Sequence, residues 1–561
     1  MRARFTPSAG TAGCALAARL TEDPNIRVLL LEAGGSGKAH FELRMPPAYP
    51  RLFHNTEVEY DLFTTEQAHA VGKKRFWPRG KVLGGSSSMN ALMYIYSFYD
   101  YEYIAHTIRH FDRFHAGAPS DYDEWAQSGI EGSEGWAFAE FQNSKWIEAC
   151  KFIGIPYVPD VNTIAGTMGV TKLMTYLNSM GMRVSSETAY LTPDVMKRPN
   201  LTIATYAKVT KVLFDTTGGK KRAVGVEFAR GKGSKRYRVK ARKEVILSGG
   251  AVHTPQILML SGIGPAEHLR EKSIPVIHDL PGVGQHLMDH GEVNLCFRVK
   301  YGESLTYLEP RRFRDIFRAI PKLLEWLLFG TGPITTNICE AAAFIRSADP
   351  ALFPPSDYPE KLEDTTSSLD APDIELLSSP LAWKSSTPHH SDVPIGELAS
   401  FLVVLLRPTS TGAITLNSAD PFEKPIIDPN YLATQHDIDV FVRGVQLALR
   451  IARTEPLFSL LDKTETDPFL DQALHERSPL DIEAVIRDRV DTLYHPTSTA
   501  RMAPLEAGGV VDAYLRVHGV EGLRVVDASI FPTINSGHTT APVYAVAEKA
   551  ADIIKGQFYT I

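Results

Sequence analysis

The strongest constraint on this chain is a glycine turn near its start, where Ser8-Ala-Gly10-Thr-Ala-Gly13 runs into the small-residue stretch Cys14–Leu20. A strand-like run, Ile26-Arg-Val-Leu-Leu-Leu31, follows and ends at Glu32. Glycine at 10 lets backbone approach a pyrophosphate, and glycine at 13 lets helix and strand pack closely. The helix start then aims unpaired N–H groups at the anion. Glu32 stands close to the ~20-residue offset at which a dinucleotide fold places the carboxylate that accepts ribose hydroxyls. The segment before the turn fits less well. Ser8 occupies the place of the first glycine in G-x-G-x-x-G, Met1–Pro7 lacks a β-branched run, and Pro7 removes a ladder donor. A missing or degraded first strand is therefore expected.

Composition narrows the remaining classes. The chain has 561 residues, 44% hydrophobic and 22% charged, which excludes collagenous, disordered and disulfide-stapled proteins. A net charge of -6 without long runs of one sign argues against nucleic-acid or polybasic membrane binding. Cys14, Cys150, Cys296 and Cys339 are far apart and form no C-x-x-C pair, so buried free thiols are expected rather than a metal site or redox dithiol. Val28–Leu31 and Phe401–Leu406, the longest greasy runs, have strand length, well short of the roughly 18 residues of a membrane span. Met1–Pro7 has no apolar core of a signal peptide.

A second anion-friendly helix start lies in Trp77-Pro-Arg-Gly-Lys-Val-Leu-Gly-Gly85-Ser-Ser-Ser-Met-Asn90. Further on come Gly250-Ala-Val-His-Thr-Pro-Gln through Gly264, Leu280-Pro-Gly-Val-Gly-Gln-His286 with Asp289-His290, and Tyr494-His-Pro-Thr-Ser-Thr499. Val525-Val-Asp-Ala-Ser529 and Ser536-Gly-His-Thr-Thr-Ala-Pro542 complete the set. With these motifs the chain, from Gly10 to Lys555, resembles the glucose–methanol–choline (GMC) family of FAD-dependent oxidoreductases, in its fungal choline-dehydrogenase-like and aryl-alcohol-oxidase-like branches.

The resemblance implies an α/β plus α+β architecture. A Rossmann-like FAD-binding domain would be assembled from residues 1–96, 185–296 and 490–561. A substrate domain, an antiparallel sheet backed by helices, would take 120–184 and 297–489. Ser185–Leu191, Leu201–Phe214 and Val224–Phe228 look like strands returning to the nucleotide domain, Leu323–Asn337 and Ile374–Phe401 like apolar, loop-rich material, and Ala545–Gly556 like a closing helix. The resemblance places Gly10, Thr11, Ala12, Gly13, Glu32 and Ala33 on the ADP half and Val209 against adenine. Val82, Gly85, Asn90, Ala91 and Met93 would line the flavin, with Asp527, Ala528 and Thr539 on the carboxyl-terminal side. Met89 occupies the position at which some relatives attach FAD covalently through His, so dissociable FAD is expected.

Removing hydride from an alcohol requires the hydroxyl proton to leave, and a neutral His beside the flavin is suited to take it. The family's catalytic His falls at His495 and its second His or Asn at His538. His495 is assigned as base and His538 as the partner that orients the substrate oxygen, although the two roles are exchangeable at this level. His253, His278, His286 and His290 are read as structural, His286 standing where relatives usually carry Asn. The implied partners are an alcohol and an electron acceptor, either dioxygen or a quinone-type molecule. Neither the alcohol nor the acceptor is legible, since relatives take sugars, choline, aryl and aliphatic alcohols. Phe401–Arg407 and Trp383 read as core more than as pocket lining. Two further readings stay open, a non-redox flavin lyase and a flavin-free protein.

Two stretches depart from the family pattern. Ser97–Pro119 precedes Asp121-Tyr-Asp-Glu-Trp125, has no counterpart, and reads as a translated intron or another gene-model artefact. Its His106, His110 and His115 lack the Glu of a zinc protease, so no metal is expected. After Trp136–Phe141 the chain passes at once to Asn143-Ser-Lys-Trp, where relatives have a helix and long loop; a block is missing. That block helps cover the active site in the family, so water exclusion is affected.

Overall fold

The computed structural model describes residues 2–95, 139–163, 166–382 and 394–556. Ser97–Pro119, the Asp121–Trp125 motif and Trp383 lie outside these residues.

Contrary to expectation, Arg2–Pro7 is a strand, and it sits in the middle of a five-stranded parallel sheet. The order across the sheet is Leu523–Val525, Val245–Leu247, Arg2–Pro7, Ile26–Leu31 and Leu201–Ala204. Pairing with the next strand runs from Arg2↔Ile26 to Pro7↔Leu31, and Phe5 faces Val245 on the other side. Ladder bonds come from backbone, so two well-formed neighbours recruit a segment of poor strand propensity. Pro7 is tolerated because it is the last residue of its strand. The helix Thr11–Leu20 connects the first two strands and packs on the closing helix Thr540–Lys555. The closing helix thus starts earlier than its periodicity indicated.

The second sheet is antiparallel, in the order Asp491–Thr492, Gly291–Arg298, Leu398–Leu405, Ile374–Ser379, Ala341–Ile345, Gly169–Lys172. Helix Gln435–Ala452 covers Ile374–Ser379 and Leu398–Leu405, while Ala139–Phe152 lies against Ala341–Ile345 and Gly169–Lys172. Strand period two divides the residues cleanly. Val293, Leu295, Leu376, Phe401 and Val403 pack with the helices. Glu292, Glu375, Leu377 and Leu402 alternate with them and face the other way. Leu377 and Leu402 line the main cavity, so the sheet's second face is a cavity wall. Strand Gly291–Arg298 crosses the boundary expected at 296 and pairs wholly within this sheet.

Two other local expectations are corrected. Ser186–Tyr190 is a short helix, not a strand, because Ser185 and Thr188 form a reciprocal capping box. Phe313–Phe329 is one helix that extends into the stretch read as loop-rich, and Ile374–Phe401 contributes strands at both ends. A single helix, Ala139–Phe152, runs through the point at which a missing block is expected. The four cysteines are buried and free.

Candidate active site

A cavity of about 730 Å³ runs between the two sheets. Its lining includes Gly10, Thr11, Ala12, Glu32, Ala33 and Val209 together with His495 and His538. Gly85, Met89, Asn90, Ala91, Met93, Asp527, Ala528 and Thr539 line it as well. All but two of the residues singled out from sequence therefore border one space. The exceptions are Gly13 and Val82. A Cβ on Gly13 would lie 1.9 Å from the Ser8 carbonyl oxygen, so this glycine serves helix–strand packing. Val82 is buried with Leu43, Leu52, Val58 and Met89.

Gly10 tells a different story. A Cβ there would meet nothing closer than Ser248 O at 3.7 Å, so packing does not demand glycine. What the missing side chain preserves is open cavity at the start of Thr11–Leu20, a helix N-terminus suited to an anion. Glu32 sits at the end of its strand and accepts from the N–H groups of Ala9 (3.2 Å) and Gly34 (2.9 Å). Burial pushes its carboxyl up to about 7. Asp527 is committed to the protein: one oxygen accepts from Gly250 N–H and the Thr254 hydroxyl, the other from Ser529. It clamps the start of helix Gly250–Leu260 to the carboxyl-terminal segment, a role the motif alone did not disclose. Asn90 links to the Thr540 hydroxyl at 3.2 Å and to the buried Arg183 at 2.9 Å.

His495 and His538 stand edge to face with ring centroids 4.7 Å apart. The loop that carries His495 is gripped from several sides. Tyr494 adopts a left-handed φ of 65° and its carbonyl accepts from Arg79 at 2.6 Å. The backbone N–H of His495 donates to Asp289 Oδ1 at 2.7 Å, and Asp289 Oδ2 accepts from Thr492 and Tyr431 hydroxyls. A bulky residue with positive φ is strained, and these bonds hold it in place.

Hydrogen bonding then fixes the protons. His290 Nε2 lies 3.0 Å from the carbonyl oxygen of Asn535, which can only accept, so this nitrogen carries the hydrogen. Burial, with His538 and Arg407 nearby, lowers His290 to about 3 and keeps the ring neutral. Its Nδ1 is therefore an acceptor, 2.9 Å from Nδ1 of His495. Burial also holds His495 well below the usual histidine range, with His538, His290 and Arg79 adding to the effect. A neutral His495 that donates from Nδ1 has a bare Nε2. His538 Nε2 is 3.0 and 3.2 Å from the two carboxylate oxygens of Glu375, a residue with no solvent exposure.

Sequence reasoning thus singled out the paired cavity histidines His495 and His538 but missed the residues that orient them. His290 was read as structural, and its bond to His495 makes it part of the site. Glu375 carried no signal except its place one alternation from Leu377 on a cavity-facing strand. Glu292 was also missed: buried on the cavity wall, its Oε2 has no hydrogen-bond partner among the described residues, and burial pushes its carboxyl well up. His253 borders the cavity and packs tilted against Tyr60, with ring centroids 4.1 Å apart. His278 meets Lys221 at 2.8 Å, and His286 has a φ of 60°, a conformation Asn adopts more readily than His. Of Phe401–Arg407, only Leu402 lines the cavity. Among the described residues no group of three or more His, Cys, Asp or Glu is placed to hold a metal ion.

Comparison with known proteins agrees with this geometry. The patterns described as GMC oxidoreductase match residues 7–292 and 408–547. Dehydrogenase str4 of Strobilurus tenacellus is 36% identical over 612 residues, covering 98% of this chain and 93% of the relative. That alignment is longer than the 561-residue chain, so the relative carries residues with no counterpart here. The mitochondrial choline dehydrogenase of Homo sapiens is 36% identical over 598 residues, covering 98% and 89%. A solved formate oxidase from Aspergillus oryzae RIB40 superposes with a TM-score of 0.80 at 27% identity, over 99% of this chain and 98% of that one. Both halves of its sequence and the whole of its shape make this chain a member of the GMC oxidoreductase family, whose cofactor is FAD.

Proposed function

We propose that the protein oxidises an alcohol to an aldehyde or ketone, with His495 as the base and His538 as the residue that orients the donor oxygen. The observation that carries this is the bare Nε2 of a neutral His495, its Nδ1–H committed to His290. A hydroxyl in the cavity would give its proton to that nitrogen while His538, braced by Glu375, hydrogen-bonds the oxygen. Bound FAD would supply the hydride acceptor. Gly10 to Ala12, Glu32, Ala33 and Val209 would hold its ADP half, with Gly85, Asn90, Ala91, Met93, Ala528 and Thr539 along the flavin. Binding would be non-covalent, since Met89 offers no nitrogen for a link. The segments of the parallel sheet would form the FAD-binding unit and those of the antiparallel sheet the substrate-binding unit.

A narrower donor class is favoured by one residue. Glu292 places an unpartnered carboxyl oxygen on the cavity wall, and a cationic group on the donor would draw it into its ionised form. An amino alcohol of choline type meets that description, and choline dehydrogenases are among the relatives.

The test is the visible spectrum of the purified protein and its response to donors without oxygen. A yellow sample that bleaches with an alcohol supports the reading, and comparing choline with uncharged aryl and aliphatic alcohols separates the donor classes. Reoxidation by air against a quinone or dye then identifies the acceptor. A protein that stays oxidised with every alcohol tried, or takes up no FAD, overturns the proposal.

A further inference from the structure

The Phe313–Phe329 helix carries its apolar stripe on the outside. Phe313, Phe317, Leu328 and Phe329 are 75, 63, 67 and 69% exposed, and Ile320 and Leu324 are exposed as well. Phe313, Phe317, Ile320, Leu324 and Leu328 recur at the three- and four-residue spacing of one helical face, which in a globular protein normally turns toward the core, and Phe329 closes the helix end beside them. Here the inward side is anchored chiefly by Trp326, whose indole N–H donates to Gly181 O at 2.8 Å. Exposed Met180 and Tyr301 extend the patch: Met180 abuts Gly330 at the helix end, and Tyr301 lies under the Arg318 guanidinium.

The polar margin of this helix is cationic. Arg311, Arg312, Arg314, Arg318 and Lys322 outnumber the acids of the same stretch in a chain whose overall charge is -6, with Asp315 bridging Arg312 and Arg314, Glu325 pairing with Lys322, and Glu397 reaching Arg318 from another part of the fold. Whole-chain charge, which argued against a membrane surface, conceals this local excess. A second copy seated face to face would bring two cationic rims together. An anionic lipid surface offers both the opposite charge and an apolar layer, the combination an amphipathic helix with a basic margin recognises.

We propose that the Phe313–Phe329 helix docks the protein on the surface of an anionic phospholipid bilayer. The helix, about 25 Å long at the usual rise, would lie in the interface plane. Its phenylalanines and leucines would enter the acyl boundary, with Arg311, Arg314 and Lys322 among the headgroups. Docking is peripheral, since no helix among the described residues is long and apolar enough to cross a membrane. The side chains beneath Trp326 include Tyr49, Ile338 and Leu381, which also line the main cavity. The helix therefore packs, through Trp326, on a cluster of side chains that also walls the candidate active site. The proposal stands apart from the function proposed above, because it uses none of the residues assigned to chemistry.

The experiment is sedimentation of the full chain with vesicles of phosphatidylcholine, alone or mixed with phosphatidylserine, at low and high salt. We expect pelleting with the mixed vesicles and release by salt. The double variant Phe317→Glu/Leu328→Glu should lose vesicle affinity by about tenfold or more, and Arg311→Gln/Arg314→Gln should lose the salt-sensitive part. Both variants should keep the parent's melting temperature and flavin content, because the altered side chains lie at the surface. No pelleting, equal pelleting with phosphatidylcholine alone, or unchanged pelleting of the Glu variant overturns the proposal. A dimer that Phe317→Glu/Leu328→Glu splits, without vesicle binding, overturns it in favour of a second copy.

Discussion

Replacing His290 with Leu tests the proton arrangement at the site. In the native protein the Asn535 carbonyl fixes the hydrogen of His290 on Nε2, and the bare Nδ1 of His290 fixes the hydrogen of His495 on Nδ1. Leucine fills much of the same volume but accepts nothing, so the Nδ1–H of His495 would be buried without a partner. Leaving a buried donor unsatisfied costs about 1–3 kcal/mol. His495 escapes that cost by moving its hydrogen to Nε2, which removes the lone pair from the cavity. The productive tautomer then becomes the minor one, and kcat should fall by roughly 10- to 100-fold, with a smaller change in KM. The assay is anaerobic flavin reduction by alcohol, normalised to bound flavin, with a thermal melt as the fold control. His290→Gln separates proton placement from packing: its amide oxygen accepts as Nδ1 does, and much of the rate should return. The reasoning is refuted if His290→Leu reduces flavin within about twofold of the parent, or if Gln is as poor as Leu in a folded, flavin-loaded protein.

Glu375→Gln keeps an acceptor opposite His538 while removing the charge; since charged hydrogen bonds are about twice as strong as neutral ones, we expect roughly a tenfold loss in kcat/KM, measured with unchanged flavin content. Because burial holds His495 well below 6.5, the neutral base persists as pH falls, so the acid limb of kcat/KM should lie below 6.5; a limb at or above that value contradicts the assignment. Gly10→Ala should leave the melting temperature of the flavin-free protein unchanged yet weaken FAD binding by about tenfold or more, read by flavin fluorescence titration. Gly13→Ala should fail earlier, in folding itself, because its Cβ would sit 1.9 Å from a carbonyl oxygen. The transcript across codons 90–150 is expected to lack Ser97–Pro119 once spliced; recovery of the segment as written removes the intron reading.

How much of this was legible follows from where each constraint is stored. The glycine turn, Glu32 and the two histidines sit in contiguous motifs, because backbone approach and a left-handed turn are local demands that particular residue types must meet. Arg2–Pro7 departs from its reading for the opposite reason: its strand state is imposed by pairing with Ile26–Leu31 and Val245–Leu247, which are distant in sequence. Ser185–Leu191 was misread although its signal was present, a Ser and a Thr three positions apart that cap a helix more strongly than a short apolar run specifies a strand.

Glu375 and His290 belong to a third class. Nothing near Ile374-Glu-Leu-Leu in sequence says that its acid meets a histidine beyond residue 530; that follows only once the antiparallel sheet assigns alternate residues to the cavity. Such residues bear on function through the histidines they touch. The proposed role of His495 needs its proton on the correct nitrogen, and the relay that puts it there, Asn535 to His290 to His495, draws on three separate stretches of chain. The motif therefore points to the proposed base, whereas the fold sets its tautomer and charge. A chain that retained both motif histidines but lost His290 would still match the family by sequence, and it would present the wrong nitrogen to its substrate.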